Sequence, residues 1–196
     1  MDVQFDQFGF YTLDMAYLNE LHSIDDQVFY NSADPNYAGK PYLGIAVIIG
    51  KYRYFIPLTS AKQRHVKWKL VDKAHFLIYD MISTQNIQAN YIIQRISNDA
   101  DHVLQIMAAL DLKKMIPVPI FYYHKVDFKS MRRTNPKYAA LLNKELRFLL
   151  KRQDDIRIHI KNIYEEQKLT GKVYPYYCDF AKLEKFYDRK ISEHLK

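Results

Sequence analysis

The sequence has few of the residues that define specialised classes of protein. Its 196 residues include five glycines and one cysteine, Cys178, so an intramolecular disulfide is impossible. A thiolate nucleophile would need a base that the sequence does not locate, and we interpret Cys178 as a semi-buried residue without a chemical role. No stretch reaches the roughly 18 apolar residues of a membrane span, and the N-terminus lacks the basic start and apolar run of a signal peptide. We expect a globular, cytoplasmic protein.

Familiar cofactor and metal motifs are also missing. The sequence contains no GxxxxGK[ST], GxGxxG or HExxH motif. Its seven histidines never fall at the close spacing of a preformed zinc site, and there is no second cysteine to complete one. We therefore expect neither a metal nor another cofactor.

Basic charge and tyrosine are abundant. The chain has 29 Lys and Arg against 22 Asp and Glu, a formal net charge of +7, and 17 tyrosines. Excess positive charge favours a polyanionic partner. Tyrosines interleaved with cations suit single-stranded nucleic acid, because rings stack on bases while cations contact phosphates. Packing at the edge of the core is the alternative explanation for most of these tyrosines.

The hydrophobic pattern predicts an α+β protein with a single domain over residues 1–196. A β-rich core is expected at about 8–125 and a helical part at about 135–195. Residues 8–13 predict a strand and Asp14–Ile24 an amphipathic helix. Two apolar runs around Gly50 and Lys51 predict a β-hairpin, and further strands are expected between residues 75 and 123.

The last third has helical periodicity. Asn135 is a candidate N-cap with Pro136 at the first helical position. The apolar spacing continues to Gly171, a plausible helix stop, and predicts one long continuous tract over 135–169. Asp179 is placed to cap a final helix.

Two segments carry the residue types of phosphate chemistry. PLTSAKQRH, residues 57–65, brings Thr59, Ser60 and Lys62 together where a strand gives way to a polar loop. Hydroxyls can hold phosphate oxygens while an ammonium neutralises charge developing at phosphorus. The second segment is a long loop, DDQVFYNSADPNYAGKP, that contains Tyr37 and Lys40. A basic polar turn and a solvated loop lysine are the alternative interpretations.

Five blocks of sequence resemble the ToxN/AbiQ family of type III toxin-antitoxin endoribonucleases, and LDLKKMIPVP resembles the AbiQ branch in particular. They occur in the family's order and at similar spacing, and span most of the chain. The blocks are FYTLDMAYLNEL, NSADPNYAGKPYLGIAV, YFIPLTSAK, LDLKKMIPVP and NKELRFLLKRQDDI.

The resemblance implies a fold, a reaction and a site. The fold would be a compact, mostly antiparallel MazF-like β-barrel core with added helices. The reaction would be metal-independent RNA cleavage, in which the 2′-hydroxyl attacks phosphorus and leaves 2′,3′-cyclic phosphate and 5′-hydroxyl ends. The family's active site falls on Tyr37, Lys40, Thr59, Ser60 and Lys62. Family members often have three residues between the tyrosine and the loop lysine, whereas this chain has two, which makes Lys40 the less secure match.

Roles follow as hypotheses. Lys62 would stabilise the phosphorane, Thr59 and Ser60 would orient the phosphate, and Lys40 or Tyr37 would assist proton transfer. His65 is a competing acid or base, since the ordinary pKa of histidine suits the task. A surface-loop histidine without a catalytic role is the alternative interpretation of His65.

The family's partner is an RNA antitoxin, a short repeated pseudoknot that the toxin cuts from its precursor and then binds as its inhibitor. The resemblance therefore implies RNA substrates from the cell or a phage, and a closed protein-RNA assembly. Candidate RNA contacts are the basic residues Lys113, Lys114, Arg132, Arg133, Lys144, Arg147, Lys151 and Arg152.

Two other functions remain as alternatives. A non-catalytic RNA-binding module would keep the fold and the basic surface, but the intact PLTSAK segment argues against it. A DNA-binding regulator would require a compact helix-turn-helix, which a continuous 135–169 helix would not provide.

Overall fold

The computed structural model describes residues 3–5, 9–30 and 43–195. Within these ranges every strand precedes residue 126, and only helices and loops follow. The strands are β1 (Val3–Phe5), β2 (Tyr11–Leu13), β3 (Leu43–Ile49), β4 (Tyr52–Ser60), β5 (His75–Ser83), β6 (Ile92–Arg95), β7 (His102–Asp111), β8 (Ile116–Pro117) and β9 (Tyr123–Lys125). The helices are α1 (Met15–Ile24), α2 (Phe128–Thr134), α3 (Pro136–Leu150), α4 (Gln153–Thr170) and α5 (Phe180–His194). The structure is therefore α+β, as the sequence predicts.

The sheet is antiparallel throughout and runs in the order β5-β7-β4-β3-β2-β9. The predicted hairpin is confirmed: β3 and β4 pair directly, and Gly50 takes a positive φ of 60° in the two-residue turn. At the other end of β3, Gly44 lies opposite Pro57, and a Cβ there would collide with the backbone oxygen of Ile56. Glycine thus allows the close strand approach next to the end of β4.

The prediction of a barrel is not confirmed among the strands described. β5 and β9 lie at opposite ends of the pairing order, and no pairing joins them to close the sheet. β1, β6 and β8 add short pairings at the side of the main path, and the sequence pattern did not single out β1 or β6.

Two predicted helix caps are confirmed. The side chains of Asn135 and Asp179 accept backbone N–H groups at the starts of α3 and α5. Asp14 caps α1 in the same way, although the sequence pattern predicts only a helix that begins near it. Gly171 ends α4 with a φ of 65°.

The prediction of a continuous 135–169 helix is wrong. The chain leaves helical geometry at Arg152, where φ is −117° and ψ is 14°, and α4 begins afresh with Asp154 and Asp155 in its first turn. Acidic residues in a first turn favour a helix start because they face the positive end of the helix dipole. Helix α2 is also separate from α3, since α2 ends before Asn135, which caps α3.

The helices pack in two separate groups. α3 packs on β5 and β7, whereas α5 packs on α1, α4 and β8. Inside the second group the buried Glu184 accepts hydrogen bonds from the hydroxyls of Tyr54 and Tyr164 at 2.8 and 2.7 Å, and from the ammonium of Lys168. We call these four residues the Glu184 cluster. None of the helices described is long and apolar enough to cross a lipid bilayer.

Candidate active site

The end of β4 presents the two hydroxyls that the sequence singles out. Leu58, Thr59 and Ser60 pair in register with Leu110, Ala109 and Ala108 of β7. Ser60 is exposed, and Thr59 Oγ1 lies 3.4 Å from the carbonyl oxygen of Ala109, to which it donates. The hydroxyls therefore project from backbone that the sheet holds in place.

A tight turn follows the strand and positions Lys62. The N–H of Lys62 donates to Nδ1 of His65 at 3.1 Å, and the N–H of His65 donates to the carbonyl of Lys62 at 2.8 Å. These reciprocal bonds fix the backbone of Lys62 and leave its side chain exposed. Within the described ranges, the Lys62 ammonium has neither an ion pair nor a hydrogen bond to the protein.

His65 is fully buried, so its interpretation as a surface-loop histidine is wrong. Its ring lies 4.5 Å from that of Trp68, which in turn lies 4.2 Å from the ring of His75. Burial, aided by the charges of Arg64 and Lys62, lowers the pKa of His65 to about 4, which keeps the ring neutral at pH 7. Because Nδ1 accepts a hydrogen bond, the proton is assigned to Nε2, which has no partner among the described groups. The buried ring of His65 thus stabilises the turn through its hydrogen bond with the backbone N–H of Lys62.

A cleft of about 1010 Å³ lies between the ends of β4 and β7 on one side and α3 on the other. Thr59, Ser60 and Lys62 all line it, so the structure brings the three residues of the PLTSAK segment together. Tyr37 and Lys40 lie outside the described residues, and their part in the site stays a prediction. The cationic lining is Lys62, Arg64, Lys113 and Lys114, and the apolar and aromatic lining includes Leu58, Trp68, Tyr138, Leu141 and Leu142.

One acidic side chain of the cleft is unusual. Glu145 of α3 is 3% exposed, and its Oε2 atom has no hydrogen-bond partner within the described part of the chain. Burial raises its pKa to about 7. Glu145 is not among the residues predicted for the site, although the sequence carries a signal for it. It lies three residues after Leu142 and four before Leu149, on the apolar stripe of the helix.

The predicted RNA-binding residues divide into two groups. Lys113 and Lys114 line the cleft, where Lys113 pairs with Asp111 at 2.8 Å and Lys114 donates to the carbonyl of Gln27 at 2.7 Å. The others are spread over α2, α3 and the junction between α3 and α4, outside the cleft lining: Arg132, Arg133, Lys144, Arg147, Lys151 and Arg152.

Two of these peripheral cations are engaged at the surface. Lys144 pairs with Asp80 at 3.3 Å, and Arg152 pairs with Asp155 at 3.6 Å. Exposed ion pairs of this kind are weak, so they leave the cations able to exchange partners. Over residues 3–5, 9–30 and 43–195, no group of three or more His, Cys, Asp or Glu side chains converges as a metal site would require.

Sequence comparison places nearly the whole chain against one family. The sequence model described as "Toxin ToxN, type III toxin-antitoxin system" matches residues 9–188. The endoribonuclease ToxN of Pectobacterium atrosepticum is 28% identical over 182 residues, covering 91% of both chains. The endoribonuclease ToxN of Bacillus thuringiensis subsp. kurstaki is 24% identical, covering 89% of this chain and 80% of its own.

Solved structures agree in fold. A chain from a bacterial antiviral system regulated by a processed non-coding RNA superposes with a TM-score of 0.67 at 27% identity, covering 92% of this chain and 97% of its own. The lactococcal anti-phage endoribonuclease AbiQ superposes with a TM-score of 0.61 at 19% identity, covering 96% of this chain and 99% of its own.

Proposed function

We propose that this chain is an endoribonuclease toxin that cleaves RNA at the cleft. The chain belongs to the ToxN family of type III toxin-antitoxin systems. Two curated relatives that it matches over most of their length are named endoribonucleases. The observation that carries the proposal is the convergence of Thr59, Ser60 and Lys62 on one wall of a cationic cleft.

The proposed reaction is an internal transesterification. The 2′-hydroxyl loses its proton and its oxygen forms a bond to the adjacent phosphorus, while the bond from phosphorus to the 5′-oxygen breaks and that oxygen gains a proton. The products are a 2′,3′-cyclic phosphate and a 5′-hydroxyl. Lys62 stabilises the charge that grows on the phosphorane, because an exposed ammonium without a protein partner is free to bind the phosphate oxygens. Thr59 and Ser60 orient the phosphate from the fixed end of β4.

We propose that Lys40 or Tyr37 assists proton transfer. His65 is a weaker candidate, because it is buried and outside the cleft lining, and its Nδ1 already accepts the hydrogen bond from the N–H of Lys62. We propose that it acts as a positioning residue by holding the backbone N–H of Lys62.

The inhibitory partner is proposed to be a pseudoknot RNA antitoxin, in a closed protein-RNA assembly. One solved relative, with a TM-score of 0.67 and 22% identity over 97% of this chain and 98% of its own, comes from work on selective toxin inhibition by a non-coding RNA pseudoknot. The exposed cations of α2, α3 and the α3–α4 junction offer contacts to phosphates outside the cleft. We also propose that the antiparallel sheet is a core of the MazF-like barrel type to which the helices are added.

The test compares RNA with DNA, each with and without EDTA. The protein should cleave RNA alone, with unchanged rate in EDTA, and leave cyclic-phosphate ends identified by mass spectrometry. Cleavage that vanished with EDTA and returned with magnesium would contradict the mechanism. Binding without cleavage would favour the non-catalytic RNA-binding module, and DNA binding without RNA binding would favour the regulator.

A further inference from the structure

Glu145 is an unpartnered carboxyl in the wall of the proposed catalytic cleft. Its neighbours on the core-facing stripe of α3 are Leu142 and Leu149, and its Oε2 atom has no hydrogen bond to any residue that the structure describes. Burying a carboxyl without a partner costs stability by itself. A ligand that supplies a hydrogen-bond donor at this point would remove that cost, which makes Glu145 a candidate recognition group.

The surroundings of Glu145 indicate the chemistry of the ligand. Leu58, Leu141 and Leu142 provide apolar surface, and the rings of Trp68 and Tyr138 provide surfaces on which a flat group can stack. Lys62, Arg64, Lys113 and Lys114 provide positive charge in the same cleft. A phosphate alone would be repelled by the carboxylate of Glu145. A nucleotide matches all three features, with an anionic phosphate, a stackable base face and a polar base edge.

We propose that Glu145 is a specificity-determining residue that reads a nucleobase next to the cleaved phosphate. The base enters the cleft between α3 and the end of β4, and its exocyclic amino group donates to the Glu145 carboxyl. Adenine, guanine and cytosine carry such an amino group, whereas uracil carries carbonyl oxygens at the corresponding positions. The cleft therefore discriminates against uracil at that position. This inference rests on the proposed function, because it assigns the substrate preference of the same site.

The test uses substrates that can be cleaved at one bond only. A DNA strand with a single ribonucleotide has one 2′-hydroxyl, so only the phosphate after that sugar can react. The base on the ribose, and separately the base that follows, is varied through all four possibilities. Single-turnover rates then give the base preference on each side of the cleaved bond. At one of the two positions, the strand with uracil should be cleaved about ten- to a hundredfold more slowly than the strand with the best amino-bearing base.

Three variants are compared with the unchanged protein. Glu145→Leu removes the carboxyl and should reduce the discrimination against uracil to less than about threefold. The reason is that a single good base contact accounts for most of a difference in rate of about ten- to a hundredfold. Glu145→Gln should reduce it partly, because an amide can also donate to a uracil oxygen. The control is Glu193→Gln, which makes the same charge change on the exposed α5 surface and should leave the base preference as it was.

Each outcome decides the inference. If Glu145→Leu keeps the parental preference, or if the unchanged protein prefers uracil or no base at both positions, the inference is wrong. If the unchanged protein cleaves no RNA at all, the proposed function itself fails. Should Glu145→Leu not fold, Glu145→Gln decides alone, because a merely structural role for Glu145 would lower all four rates together and leave their ratios unchanged.

Discussion

Two buried glutamates, both 3% exposed, show how similar burial can serve different purposes. Glu184 lies among α4, α5 and β4 with both carboxylate oxygens hydrogen-bonded, to two tyrosine hydroxyls and the ammonium of Lys168. Glu145 lies in the cleft wall with Oε2 unpartnered. Buried polar groups with complete sets of partners fix a fold, whereas a buried carboxyl without a partner in the wall of a cleft is a candidate for a hydrogen bond from a ligand.

The same contrast runs along strand β4. Tyr54, near its start, closes the Glu184 cluster, and Thr59 and Ser60, at its end, open into the cleft. Changes in the Glu184 cluster should therefore alter stability, and changes in the cleft should alter chemistry. Each of the following predictions tests one side of this division.

The largest effect is expected from Lys62→Ala. Losing an ionised donor that faces the transition state should lower RNA cleavage by about 10²–10³-fold or more. The free energy of unfolding should hardly change, because the Lys62 side chain is exposed and its backbone N–H can still donate to His65. Cleavage assays and urea denaturation measure the two quantities.

Lys67→Ala is the matched control for Lys62→Ala. Lys67 is an exposed lysine of the same turn, and it does not line the cleft. Its loss should leave the cleavage rate near the parental value. A folded Lys62→Ala protein that cleaves RNA at the parental rate would exclude Lys62 as the catalytic lysine and leave Lys40 as the candidate.

The Glu184 cluster should give the opposite result. Glu184→Ala leaves the buried hydroxyls of Tyr54 and Tyr164 without their acceptor, and each unpaired buried hydroxyl costs about 1–3 kcal/mol of unfolding free energy. The ammonium of Lys168 is partly exposed and can bind water instead. At a temperature where the variant remains folded, its cleavage rate should stay near the parental value because no cluster residue lines the cleft. Glu193→Ala, on the exposed surface of α5, is the stability control. A stable Glu184→Ala protein would refute a structural role for the cluster.

Glu145→Gln should raise stability in a pH-dependent way. The folded pKa of about 7 lies above the unfolded value of about 4.5, so between these values the folded state binds more protons than the unfolded state. The parental protein therefore loses stability as pH rises from about 4.5 to 7, and the glutamine variant does not. Above pH 7 the variant should be more stable by on the order of 3 kcal/mol, and below pH 4.5 the two should agree.

Urea denaturation across pH measures the difference between the two proteins. Other titrating and charged groups of the cleft are the same in both and cancel in that difference: Lys62, Arg64, Lys113, Lys114, Asp111 and Tyr138. A difference that does not vary with pH would mean that Glu145 already has a partner.

Local signals explain which parts of the molecule the sequence could predict. Asn135 and Asp179 cap their helices by bonds to the backbone three positions away, and the positive φ of Gly50 depends only on its own two-residue turn. The break between α3 and α4 was missed because neither glycine nor proline marks it. Its signal is the acidic pair that begins α4.

The candidate site was half predictable for the same reason. Thr59, Ser60 and Lys62 are adjacent in sequence, and their resemblance to a family motif drew attention to them. Glu145 is about 85 residues away in the chain, and only the packing of α3 on β7 brings it to the cleft. His65 could not be placed either, since its burial depends on Trp68 and on the fold of the turn.

The smallest effect on cleavage is expected from Ser60→Ala. A neutral hydroxyl that supplies one oriented hydrogen bond to the phosphate is worth about 0.5–1.5 kcal/mol, which corresponds to a rate loss of about 2- to 13-fold and is less than the loss for Lys62→Ala. Stability should not change, because Ser60 is exposed and its backbone pairing with Ala108 does not involve the side chain. The double variant Ser60→Ala with Lys62→Ala should be less impaired than the product of the two single losses, since groups that hold one phosphate act as a unit. Single-turnover rates of the three variants test this. Strict multiplication of the single losses would indicate that Ser60 and Lys62 act on different parts of the substrate, and would separate the hydroxyl from the phosphate site.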